Sequence, residues 1–178
     1  MSVLPISIYP DPVLRVRCSE VTDFDEGLRK LAGDMVETMH SAVGVGLAAS
    51  QVGIEIRLIV VDASAGEDPG AVMTLVNPAI ADPEGRLEMA GEVEGCLSIP
   101  GFTEKVDRPL EIRVKAQDLD GAKLEFAADE LLARVICHEV DHLNGVLFVD
   151  HLRGLRKDKA RRHLQRMKAD AAAAATGT

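Results

Sequence analysis

The sequence predicts an α+β fold, with antiparallel sheets around a central helix and a further helix at the C-terminal end. Three observations carry that reading. Strand-like runs lie between helix-like ones without regular alternation, which disfavours a doubly wound parallel sheet. One strand pair, "LEIRVKAQDLDGAKLEFAA", is a hairpin by its own chemistry: Ile112, Val114 and Ala116 alternate, Asp120-Gly121 turns the chain, and Leu124 and Phe126 return. Apolar residues at helical spacing, Leu28, Leu31, Met35 and Met39, place a helix ahead of all the strands.

Taken in order, Asp23 followed by Glu26 reads as a capping box that opens this first helix, which runs to about Ser41. The loop "GVGLAASQVG" follows. "RLIVVDAS" (57–64) and "TLVNPAI" (74–80) read as strands separated by the turn-rich "AGEDPGA". "EGCLSIPG" puts Cys96 in a strand or at a strand edge. After the hairpin, Asp129 caps a helix that Asn144-Gly145 ends. A last helix spans about Leu155 to Lys168. With no repeats and no interdomain linker, residues 1–170 read as a single domain and 171–178 as a frayed tail.

Composition narrows the class. At 178 residues and 47% hydrophobic content the chain can bury a real core. No apolar run approaches membrane-spanning length, and "MSVLPISIYP" lacks a secretory pattern, so the expectation is a cytoplasmic protein without a membrane partner. Cys18, Cys96 and Cys137 are an odd number without framework spacing, which argues against a disulfide scaffold. Trp is absent and Tyr occurs once, which excludes large stacking platforms for nucleic acid. The net charge of −9 is uneven: Arg153–Lys168 holds eight Lys/Arg and one acid, a local +7 that leaves −16 elsewhere. A basic segment on an acidic body suggests an anionic partner, with a merely solvated helix face as the alternative.

The sharpest motif is "CHEVDH", 137–142. At about 100° per residue, His142 falls near 40° and Glu139 near 100° from His138, so all three share one flank. Two imidazoles that converge, with a carboxylate beside them, form the H-E-x-x-H arrangement of a metal site with its own base. Val135 and Leu131 continue that face towards the core. This makes it the central, metal-binding helix of the expected fold. Metzincin spacing would require a third histidine where Phe148 stands, so a third ligand must come from elsewhere. Cys96 can supply it, giving one thiolate and two imidazoles with the fourth tetrahedral position open; Cys96 as a nucleophile with a histidine base is the alternative. Cys137, 100° back from His138, and Cys18 read as small buried residues.

The loop "GVGLAASQVG" superficially fits a dinucleotide fingerprint, but the segment before it is a helix and not a strand, so that reading fails. What remains is a tight loop whose backbone can approach a ligand, with the Gln51 amide able to reach into a cleft or simply to cap its own loop.

"GVGLAASQ", "EGCLS" and "HEVDH", in this order, resemble peptide deformylase, as do "IYPDPVLR" and the hairpin before the last motif; the resemblance covers residues 1 to 165 and is closest to the compact bacterial type. It implies release of formate from N-formylmethionyl peptides. It implies Cys96, His138 and His142 as metal ligands, Glu139 as acid/base, Gln51 and the Leu97 N–H as oxyanion donors, and Gly46 beside the formyl group. It implies backbone pairing of the substrate with Val45 and Gly95 as an added strand, and ferrous iron as the metal, with zinc or nickel also seen in the family. Val45, Leu131 and Val135 are candidates for the wall around the substrate's methionine. The basic last helix is a candidate ribosome contact through phosphates. Thr103 and Arg134 depart from the family pattern and bear on the pocket wall. Asp141, off the ligand flank, reads as half of an ion pair with a residue such as Arg108, or as a solvated aspartate.

Overall fold

The computed structural model describes residues 2–81 and 88–176. Helix α1 (Glu26–Ser41) is followed by strands β1 (Gly46–Ala48), β2 (Leu58–Val61) and β3 (Met73–Ala81). Then come the hairpin β4 (Met89–Cys96) and β5 (Ile99–Pro109), strands β6 (Glu111–Gln117) and β7 (Lys123–Asp129), and helices α2 (Glu130–Leu143) and α3 (Gly154–Thr176). Five strands form one antiparallel sheet in the order β1-β2-β3-β6-β7, and β4-β5 is a separate two-stranded sheet. The expected α+β class and antiparallel pairing are both present.

The interior strand β2 shows how the layers arise. Its four residues are all buried, Leu58 and Val60 against α1, Ile59 and Val61 against α2. Side chains alternate across a strand, so an uninterrupted apolar run is what a sheet covered on both faces requires. On one face Leu28, Met35 and Met39 of α1 fill the layer. On the other, Ala133, Ile136, Cys137 and Val140 of α2 meet Leu75, Ile112 and Val114. A third cluster joins β5 to the C-terminal end through Ile99, Val106, Phe148, Leu152 and Ala160, with Leu164 and Met167 packed on it.

The boundaries differ from the sequence reading at three places. The cap of α1 is Asp25, whose carboxylate accepts from the Leu28 N–H at 2.9 Å, and not Asp23. The glycine-containing loop holds a short strand, β1, at the edge of the five-stranded sheet, paired with β2 on one side. Helix α3 runs on to Thr176, so the expected frayed tail is helical through that residue; Ala171–Ala175 carry the strongest helix propensity of any residue type. Residues 177 and 178 of that tail lie outside the described residues.

Candidate metal centre

The site forms where three elements meet: the β1 loop, the end of β4, and α2. Helix α2 starts after Asp129, whose side chain makes no cap bond, and ends at Asn144 with Gly145 at φ 71°. Between these ends one flank carries Arg134, His138 and His142, one turn apart, all buried. Cys96 terminates β4, where the register with β5 shifts and the chain turns through Leu97-Ser98.

Ligand atoms of Cys96, His138 and His142 lie within 4.8 Å of one another, and among the described residues this is the one such group. Cys96 Sγ is 3.2 Å from His142 Nε2, and the two imidazole rings sit 5.1 Å apart, edge to face. Glu94 Oε2 is 3.0 Å from His138 Nδ1, which leaves the ring's other nitrogen towards Cys96. Burial disfavours a charged His138, but its bonds to Cys96 and Glu94 outweigh this and hold it up to about 10. His142, fully enclosed, is driven well below its ordinary value by burial. The donor set fits a divalent transition metal: one thiolate and two imidazoles, converging, with a carboxylate fixing one ring from behind, and a dication would take the place of the proton between the donors. His142 Nδ1 and Glu139 Oε2 are buried without a hydrogen-bond partner among the described residues.

Glu139 faces the same pocket. Burial pushes its carboxyl up to about 7, against the lowering effect of His138. A carboxyl poised there can both take and return a proton near neutrality. Gln51 is held at both ends: its Oε1 accepts from the Ala48 N–H at 2.8 Å, while Nε2 points to Ser98 Oγ at 3.2 Å and Cys96 Sγ at 3.7 Å. Capping its own loop and reaching into the cleft are therefore one arrangement, in which the first aims the second.

The pocket is about 440 Å³. Val45, Gly46, Gly95, Leu97, Leu131 and Val135, all singled out in the sequence, line it with Gln51, Cys96, His138 and Glu139. Gly46 is required by close approach: a Cβ there would stand 2.5 Å from Glu139 Oε1 and 2.7 Å from Val135 Cγ1. Thr103 and Arg134 both line the pocket, and Arg134 is buried. Asp141 is half of an ion pair, 2.6 Å from Arg108 Nη1, and also lies 2.7 Å from His151 Nε2.

Sequence reasoning missed Glu94, whose two oxygens receive Arg108, Arg134 and His138. Its carboxyl is held down at about 2 because the bonds from His138 and Arg108 overcome the effect of burial. A glutamate two residues before Cys96 on an extended segment points to the opposite side from Gly95, and that is the only signal available. Val43, Val93 and Phe102 were missed too; each lines the pocket, and Val43 is 91% exposed with φ 55°.

A small α+β chain with a Cys-His-His donor triangle, a buried glutamate and a pocket between two strand edges defines a class of hydrolase-like metal site. The polypeptide deformylase family matches residues 3–158, and the chain belongs to that family. It is 47% identical over 167 residues to the peptide deformylase of Acidobacterium capsulatum, covering 94% of this chain and 96% of that one. It is 48% identical over 166 residues to peptide deformylase 1 of Pseudomonas syringae pv. tomato, with 93% and 96% covered. A solved peptide deformylase from Legionella pneumophila superposes with a TM-score of 0.84 at 40% identity, covering 96% of this chain and 98% of that one. One from Plasmodium falciparum gives 0.88 at 37%, covering 94% and 97%. The chain is therefore an enzyme of the peptide deformylase type, and no helix among the described residues is long and apolar enough to cross a membrane.

Proposed function

We propose that this chain is a metal-dependent hydrolase that removes the formyl group from N-formylmethionyl nascent peptides and releases formate. The observation that carries the proposal is the convergence of Cys96, His138 and His142 beside a buried, high-pKa Glu139, in a pocket bounded by two strand edges. Cys96, His138 and His142 would hold ferrous iron, with zinc or nickel as alternatives. Bound there, such an ion supplies Lewis acidity, lowering the pKa of a water from 15.7 to about 7 and polarising the formyl oxygen.

The remaining work falls to the chain. Among the described residues β1 and β4 each pair on one side, with β2 and β5, so each has an edge for an extended peptide. Val45 and Gly95 bring their backbones to that slot, and Val135 and Leu131 line the place of the methionine side chain. Gly46 lets the formyl group come close to Glu139. Glu139 takes the proton of the attacking water and passes it to the leaving nitrogen as the C–N bond breaks, giving formate and a free amino terminus. The Gln51 amide and the Leu97 N–H donate to the oxyanion that forms on the way; losing one such donor costs about 2.7–4 kcal/mol. The basic face of α3 is the proposed contact with ribosomal phosphates.

Metal analysis and formate release from formyl-Met-Ala-Ser test the reading together. A chain that binds one metal and releases formate while leaving internal peptide bonds uncut supports it. Internal cleavage as fast as formate release refutes it.

A further inference from the structure

We infer that Arg134 is a positioning residue, which staples α2 to the β4-β5 hairpin and thereby fixes Glu94, His138 and the donor triangle. The inference rests on the metal-centre reading above. Among the described residues the hairpin shares no strand pairing with the five-stranded sheet. Cys96 belongs to the hairpin, whereas His138 and His142 belong to α2, so the donors sit on two bodies with no backbone ladder between them. Their separation is set by side chains that cross the gap.

Arg134 crosses it three times. Nη1 donates to Glu94 Oε1 at 2.7 Å and to the Val106 carbonyl at 3.0 Å, and Nη2 donates to the Ala90 carbonyl at 2.8 Å. One guanidinium thus holds a carboxylate on β4, a carbonyl on β4 and a carbonyl on β5. The planar fork reaches these three acceptors from two nitrogens at fixed angles, whereas the three donors of a lysine ammonium all leave a single nitrogen. Arg108 grips the same carboxylate through Nε at 2.9 Å and Nη2 at 3.0 Å. The acceptor capacity that remains on Oε2 goes to His138 Nδ1 at 3.0 Å. Arg134 stands one turn before His138 on the same flank of α2, and it lines the pocket. Burying a second guanidinium is costly unless its donors are used; here its hydrogen bonds among the described residues go to the hairpin.

Arg134→Leu and Arg134→Gln, in the full chain, are compared by zinc affinity in competition with a chromophoric chelator and by the visible spectrum of the cobalt-loaded protein. KM and kcat on formyl-Met-Ala-Ser are measured alongside. Either folded variant should bind zinc about 10–100-fold more weakly, the range for losing a residue that orients a ligand, with an altered cobalt spectrum and a raised KM. Arg134→Lys, which restores a positive partner for Glu94, should bind more tightly than both. Lower thermal stability with unchanged zinc affinity and cobalt spectrum would reduce Arg134 to a structural residue and overturn the inference. If the unaltered chain itself binds no zinc or cobalt, the metal-centre reading fails instead.

Discussion

Helices α2 and α3 contain the same kinds of residue in opposite surroundings. α2 buries ten of its fourteen residues, among them Arg134, His138, Glu139 and His142. α3 is 23 residues long, and among its described residues Ala160 alone is buried; Arg156 and Lys157 near its start, and Arg161, Arg162 and Arg166 along it, are exposed. Water solvates the cations of α3, so their ion pairs, such as Lys159 with Glu104 at 3.7 Å, contribute little. In α2 the buried polar groups have lost water, and Glu94, Arg108 and Cys96 gather at the helix as partners for Arg134, His138, Asp141 and His142. Burial is what turns histidine and glutamate from a polar helix face into a site.

The comparison breaks most completely at Cys96. Cys96→Ala should abolish stable metal binding, because among the described residues the Cys96 thiolate is the hairpin's one member of the donor group it forms with the α2 pair, while Cys18→Ala and Cys137→Ala should keep the metal. Metal content after dialysis decides this, and stoichiometric metal in Cys96→Ala would end the ligand assignment. Both other thiols are raised by burial, Cys137 to about 11, and neither belongs to the donor group.

Glu139→Gln sharpens the contrast by keeping size and removing the proton acceptor. It should retain close to one metal per chain and lose at least about a hundredfold in kcat, the lower end expected for a general base. Loss of metal in this variant would show a ligand or structural role.

Gly46→Ala comes next. Its Cβ would be driven into Glu139 and Val135, so the variant should lose about 1–3 kcal/mol of stability from overpacking and raise KM more than it lowers kcat. Thermal unfolding with unchanged KM would show the pocket to be more yielding than the geometry implies.

Charge reversal of Arg161, Arg162 and Arg166 should change stability by no more than about 0.5 kcal/mol, as at other exposed positions, and leave formyl-peptide turnover intact while weakening ribosome co-sedimentation. Substitution is the better probe than removal of the helix, because Ala160, Leu164 and Met167 pack on the third core cluster. Unchanged co-sedimentation would leave α3 as a solvated face.

The smallest effect lies far from either helix's chemistry. The Asp62 carboxyl, fully buried, is held below its ordinary value by the Ser64 hydroxyl, His40 and the Ser64 and Gly66 N–H groups. A depressed carboxyl stabilises the fold above its unfolded value of about 3.9, and that contribution is lost as pH falls through the lower folded value. The stability gap between the unaltered protein and Asp62→Asn should therefore narrow between about pH 5 and about pH 2 in urea titrations; a constant gap would place the Asp62 effect in packing instead.

Periodicity and turn chemistry were enough for the local elements. The α1 stripe, the β6-β7 hairpin around Asp120-Gly121 and the stop at Asn144-Gly145 all follow from spacing, because each depends on neighbours in the chain. The shared flank of His138, Glu139 and His142 followed from helical geometry for the same reason, and Cys96 was reached by asking what could complete the donor set. Other features required the folded molecule. The α1 cap moved to Asp25, and the loop at 46–48 became an edge strand because β2 was there to pair with it. Glu94 read as an ordinary charged letter and Arg134 only as a departure bearing on the pocket wall, since a sequence does not say which face of a strand or helix will lose its water. Their partners are 14 to 44 residues away along the chain, on β4, β5 and α2, and only tertiary packing brings Arg108, Arg134, Glu94 and His138 within hydrogen-bonding distance. The sequence by itself determined the donor types and the flank they occupy, because helical geometry is local; the tertiary structure decided which buried charges would hold them in place, because desolvation is a property of the whole fold.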